Sequence, residues 1–264
     1  MQQGCIWLFV CQCLMGLPNS LFASISDTTG QERYCKSIDL FYELSSVLHT
    51  NEFVKGANPN NAIYHKFQAV SLKYSIHTDG RKPWEQLYAY PVWGVGLYQG
   101  FFKQDYRELG NPSAAYMFMD LTLKRWERWS LNWETGLGLS WNWNTHDINE
   151  NHFPYPISTS YAVFVDLGIN AVVPLGKHIN FKAGISTSHF SNGGFRMPNT
   201  GINVAGVRAE LQYIFNPQPR VIYKDIPDYV KEWEWIALIA PAKKQLGYLH
   251  VNEEMDTINI SDNC

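Results

Sequence analysis

From Phe67 to Phe215 the chain alternates apolar and polar residues with a period of two, segment after segment, and after its first two dozen residues no apolar run reaches the roughly 20 residues a membrane-crossing helix needs. Val70, Leu72, Tyr74 and Ile76 alternate with Ser71, Lys73 and Ser75. Met117, Met119, Leu121 and Leu123 alternate with Phe118, Asp120 and Thr122. Leu131 through Trp143, Val163 through Val173, Phe181 through Thr187 and Ala205 through Phe215 repeat the pattern, and Trp93, Val95 and Leu97 alternate with Gly94 and Gly96. Successive side chains of a strand point to opposite faces, so each run has one greasy face and one polar or glycine-rich face. With a weaker segment, Phe41 to His49, the reading is eight strands, and any membrane span must be a closed barrel.

A soluble sandwich also alternates, but several of these runs reach the ten or so residues a tilted membrane strand needs, and Trp lies on their apolar faces. Ten Trp and fifteen Tyr, many near strand ends, suit interfacial girdles. The polar faces carry Lys73, Lys124, Lys182 and Arg208 against Asp120, Glu134, Asp166 and Glu210. An eight-stranded barrel is just wide enough to be filled by side chains, so these charges are expected to pair as a plug, which argues against a porin. Connections alternate in length: Trp126 to Leu131 and Pro174 to Lys177 are short, whereas Asn51 to Lys66, Lys103 to Ser113, Thr145 to Ser158 and Asn192 to Gly201 are long and assigned outside. The link from Thr78 to Gln86 is longer than its place in that scheme predicts. The expected fold is all-β, an eight-stranded antiparallel outer-membrane β-barrel over residues 40–215 with a C-terminal extension.

At the ends, residues 1–23 read as a secretory signal peptide, with an apolar stretch from Ile6 to Leu17 and Ala23 at the cleavage point. Residues 216–264, after the linker Asn216-Pro217-Gln218-Pro219, read as a periplasmic extension of unassigned role. Cys5, Cys11 and Cys13 fall in the signal, and Cys35 and Cys264 alone make no disulfide framework. A net charge of −3 with no basic run argues against nucleic acid as a partner.

The chemistry concentrates in His189-Phe190-Ser191-Asn192-Gly193-Gly194 and Pro198-Asn199-Thr200-Gly201-Ile202-Asn203, between the last two strands. His189 and Ser191 are two residues apart, hence on one strand face, and that face continues from Phe181, Ala183 and Ile185, the side turned to lipid. Counting back along the last strand puts Asn203 on the same exterior face. Polar groups there are costly and call for a reason. A hydroxyl beside an imidazole, displayed toward the outer leaflet, suits attack on an ester of a lipid still embedded in the membrane.

These residues, His189-x-Ser191-Asn192, then Pro198-Asn199-x-Gly201-Ile202, then an alternating strand ending in Tyr213 and Phe215, resemble the lipid A 3-O-deacylases of the PagL type, the acyloxyacyl hydrolases. The resemblance implies an outer-membrane serine esterase acting on lipid A of the outer leaflet without metal or other cofactor. It implies Ser191 as nucleophile, His189 as base, and Asn192 with a backbone N–H of the Gly193-Gly194 turn as oxyanion hole. The family's third member is a Glu, and at that position this chain has Asn203, which can orient an imidazole but cannot stabilise an imidazolium by charge. Arg196, with Lys55, Lys103 and Arg107 on other outer loops, is a candidate for the lipid A phosphates. The alternative is a non-catalytic outer-membrane barrel with a structural or binding role. The remaining histidines, His49, His65, His77, His146, His152, His178 and His250, show no metal-ligand spacing. Oligomeric state is not legible.

Overall fold

The computed structural model describes residues 34–102, 108–145, 155–215 and 217. The expected signal peptide and, apart from Pro217, the C-terminal extension lie outside the described residues, as do Lys103, Arg107, His146 and His152.

Eight antiparallel strands close into a barrel in sequence order: β1 (Cys35–Val47), β2 (Lys66–His77), β3 (Val92–Phe102), β4 (Gly110–Arg125), β5 (Ser130–Trp143), β6 (Ala162–Pro174), β7 (Ile179–Ser191) and β8 (Ile202–Ile214). The barrel shuts where β1 pairs with β8, Val47 opposite Val204 and Ser37 opposite Ile214. Closure leaves no unpaired edge, the condition for a sheet in hydrocarbon. The fold is the one expected from the alternation, with one difference at its start. β1 runs from Cys35 to Val47 instead of the expected Phe41 to His49, because Ser37 and Asp39 turn inward and are fully buried.

The barrel is inverted relative to a soluble protein. Leu97, Met117, Leu137 and Ile185 are each at least 60 % exposed on the outer wall, while Lys73, Glu134, Asp166, Lys182, Arg208 and Glu210 are buried inside. Such a continuous apolar exterior far exceeds the patches a water-exposed monomer tolerates, and a bilayer is the medium that suits it.

The lumen is filled in two layers. At the end near the short turns, Lys73 Nζ lies 2.8 Å from Glu134 and 2.6 Å from Glu210, Lys182 lies 2.6 Å from Glu210, and Arg208 lies 3.0 Å from Asp166. The plug differs from the expected balanced set. β1 adds Asp39 and Glu43, and Lys124 stands outside it, over the Trp126 ring at the rim. Lys124 is near the end of β4, where alternation no longer means lumen. Toward the long-loop end an aromatic layer takes over, with Phe164 5.1 Å and Trp143 5.0 Å from Phe190 between ring centroids. Among the described residues the barrel interior is thus filled by charge below and by rings above.

The link that was too long for a simple turn contains a short helix, α2 (Pro83–Leu87), following α1 (Glu52–Lys55) in the first long loop. Glu85 of α2 is buried and caps the turn, its carboxylate accepting from Gly80 N–H at 3.0 Å. At the same end, Trp126 and Trp129 stack face to face with centroids 4.0 Å apart and close the β4–β5 turn.

Candidate active site

Which way a side chain faces on β7 is settled by its neighbours. Phe190, fully buried in the aromatic layer, drives an inward anchor between His189 and Ser191, so both of those turn outward. Across the ladder Ile202 and Val204, also fully buried, do the same for Asn203, which stands directly opposite His189 in the β7–β8 register. A slip of one residue would move all three groups into the lumen.

His189 and Asn203 meet: Nδ1 lies 2.6 Å from the carboxamide oxygen. A carboxamide oxygen can only accept, so Nδ1 carries a proton, and in the neutral ring the lone pair then belongs to Nε2. The imidazole is flanked by Gly201. A Cβ built on that residue would lie 3.0 Å from His189 Cε1 and 3.5 Å from Ser191 Cβ, so the backbone at Gly201 passes close to both side chains. The φ of +68° at Gly201 and this close approach both require glycine. Ser191 and His189 share the face and the Gly201 contact but are not hydrogen-bonded to one another, a looseness common in sites without substrate.

The loop behind the serine is tied down from two other loops. Asn51 donates its amide to Gly201 O at 2.7 Å, and Pro156 O accepts both Thr200 and Gly201 N–H at 3.1 Å. Asn192 has a different task from the one its position implies. Its side-chain nitrogen donates to Ser158 Oγ at 3.1 Å and Arg196 O at 2.8 Å, its oxygen accepts from Gly194 N–H at 2.9 Å, and its backbone N–H donates to Asn199 Oδ1 at 3.1 Å. Every donor of Asn192 is engaged and the residue is buried, so it builds the turn instead of offering a free N–H to an oxyanion. The turn leaves the Gly193 N–H without an acceptor among the described residues, at a φ of +69° that aims successive backbone groups unusually. Asn199, which the sequence marks only as part of the motif, supplies the acceptor for the N–H that follows Ser191. Its carboxamide is held one peptide bond beyond Ser191.

Arg196 enters the network through its carbonyl, with the side chain exposed beside Phe195, itself 76 % exposed at the loop tip. Lys55 is exposed and paired with Glu52 at 2.7 Å. Among the described residues no group of three or more His, Cys, Asp or Glu could hold a metal ion.

A family model for lipid A 3-O-deacylase (PagL) matches residues 68–212, more than half of the chain. The chain belongs to the PagL lipid A 3-O-deacylase family. It is an outer-membrane barrel. Among solved structures it is similar to the outer membrane enzyme PagL, at 12% identity and a TM-score of 0.42, over 65% of this chain and 97% of that one. It is also similar to Neisserial surface protein A (NspA), at 7% identity and a TM-score of 0.44, over 68% of this chain and 97% of that one. The outer membrane protein AlkL matches at 10% identity and a TM-score of 0.31, over 75% and 97% of the two chains. No curated protein matches. The PagL match takes in His189 through Asn203, stops one residue short of Tyr213, and leaves the N-terminal strand β1 outside it.

Proposed function

We propose that this PagL-family barrel is a serine esterase that removes an ester-linked acyl chain from lipid A within the outer leaflet, the family's description pointing to the 3-O position. The observation that carries the reading is the His189–Asn203 pair, 2.6 Å apart on the bilayer-facing wall beside Ser191. A polar pair has little reason to face lipid unless its substrate is there.

In this reading Ser191 Oγ gives its proton to His189 Nε2 as it attacks the ester carbonyl carbon. The carbonyl oxygen becomes an oxyanion that the Gly193 N–H of the turn after Ser191 is there to receive. Collapse breaks the ester C–O bond, and the sugar alkoxide takes the proton from the imidazolium. Water then attacks the acyl-serine with His189 as base, releasing a fatty acid and restoring the hydroxyl. Asn203 holds the ring through Nδ1 throughout, without charge.

Lipid A extracted from membranes that carry the folded chain is expected to show, by mass spectrometry, a species lighter by one acyl chain than lipid A from membranes without it. A serine-directed phosphonate should block the change and label Ser191. Unaltered lipid A and no labelling, from a chain whose folding is verified by a heat-dependent gel shift, would leave the non-catalytic barrel as the correct reading.

A further inference from the structure

We infer that Thr50 is a positioning residue of this site, one that fixes which way the carboxamide of Asn203 faces and thereby which imidazole nitrogen of His189 is free. The inference rests on the esterase reading for its catalytic consequence and on hydrogen bonds alone for its geometry.

An amide is not a carboxylate in one respect that matters here. A carboxylate offers oxygen in either orientation, whereas a carboxamide turned over presents N–H₂ where its oxygen was. With the oxygen on His189, Nδ1 is protonated and Nε2 can act as a base. With the amide reversed, its N–H would donate to Nδ1, the proton would sit on Nε2, and the imidazole could take nothing from Ser191. An Asn in this position therefore needs a second contact that distinguishes its two ends.

Thr50 makes that contact. Asn203 Nδ2 donates to Thr50 Oγ1 at 2.9 Å. A hydroxyl can accept or donate, so by itself it would suit either orientation. Its proton, however, is directed to Leu48 O, at 3.5 Å, the same carbonyl that accepts Thr50 N–H at 2.8 Å. With its hydrogen turned to that carbonyl, the oxygen of Thr50 faces Asn203 as an acceptor. The segment is itself pinned to the site, because Leu48 N–H donates to Asn203 O at 2.8 Å as β1 runs out beside β8. The chain Leu48 O, Thr50, Asn203, His189 is thus polarised in one direction, and it crosses the seam where the first strand meets the last.

The test is a cycle between the two positions. Thr50→Val keeps the shape of the side chain and removes the oxygen, and it is expected to lower kcat about tenfold with KM unchanged, the equivalent of one hydrogen bond of about 1.4 kcal/mol. Thr50→Ser should restore the rate. Asn203→Asp removes the need for a distinguishing contact and should raise kcat about tenfold through a charge-assisted bond to the imidazole. In that background Thr50→Val should cost less than about twofold, since a carboxylate has no wrong end. An equal loss in both backgrounds would make Thr50 merely structural and overturn the inference. Nitrogen-15 spectra of His189 in detergent-solubilised protein give a readout independent of turnover. Neutral His189 should be protonated on Nδ1 in the wild type and show the Nε2–H form in Thr50→Val. Identical spectra would overturn the role of Thr50 even if the chain hydrolysed its ester. A tautomer shift in a chain that hydrolyses nothing would uphold it while the esterase reading fell.

Discussion

Ser191→Ala is expected to lower kcat for lipid A ester hydrolysis by about 10⁶, the scale on which loss of the nucleophile acts in a serine hydrolase whose other groups stay in place. The barrel should tolerate the change. Ser191 is half-buried, its hydroxyl has no hydrogen bond among the described residues, and the neighbouring Phe190 keeps its place in the aromatic layer. A loss of stability no greater than about 0.5 kcal/mol follows for a substitution at such a position. Turnover and fold are therefore separable in one protein: the heat-dependent gel shift should coincide with wild type while the lipid A mass profile reverts to that of membranes lacking the chain. His189→Ala should fall almost as far, and the double variant no further than either single one, because the two groups act as a unit. Hydrolysis by Ser191→Ala at more than about a hundredth of the wild-type rate, well above what oxyanion stabilisation and binding alone supply, would remove Ser191 from the nucleophile's role.

Much of this was legible because a membrane barrel writes its orientation into every second residue. His189, Ser191 and Asn203 could be placed on one exterior face from parity alone, His189 and Ser191 in step with Phe181, Ala183 and Ile185, and Asn203 in step with Ala205 and Val207. Parity fails where both sides of a strand are polar. Cys35 to Leu40 looks like a loop because Ser37 and Asp39 supply the lumen while Lys36 lies at the rim. It fails again near strand ends, as at Lys124. Contacts between loops leave no periodic trace at all. Asn192 could be read as an oxyanion donor until Ser158, 34 positions earlier, was found to occupy its amide. Thr50 stands 153 positions from Asn203, and only closure of the barrel makes them neighbours. The family motif itself carried no hint of Thr50, since it begins and ends within the last hairpin and its partner belongs to the first strand's extension.

The heaviest structural loss is expected at Lys73, whose ammonium is the hub of the charged layer. Lys73 is 1% exposed and bonds both oxygens of Glu134, at 3.0 and 2.8 Å, and Glu210 at 2.6 Å. Its charge also lies over the rings of Phe118 and Phe41, at 5.0 and 5.6 Å. Among the described residues the buried barrel interior holds six carboxyl groups, Asp39, Glu43, Asp120, Glu134, Asp166 and Glu210, against the three cations Lys73, Lys182 and Arg208. Lys73→Met keeps the stem's bulk and removes a cation from a layer already in acidic excess. Breaking a buried pair from one side costs about 3–5 kcal/mol, since the abandoned charge has no water to return to. The lower end applies here, because Glu134 retains Arg208 at 3.2 Å and Glu210 retains Lys182 at 2.6 Å. A loss of about 3 kcal/mol, read as a lower midpoint for heat or urea unfolding in detergent, compares with no more than about 0.5 kcal/mol for the exposed turn residue Lys177→Met. Adding Glu134→Gln to Lys73→Met returns the acidic excess to its original size and should recover part of the stability, as replacing a whole buried pair costs far less than halving it. A single variant no less stable than Lys177→Met would mean that the charges are hydrated in place and that the aromatic layer alone fills the barrel. The consequence for the site is indirect but definite. β7 and β8 both root in this layer, through Lys182 and through Arg208 and Glu210, so the register that aligns His189 with Asn203 is held from below by the same charges.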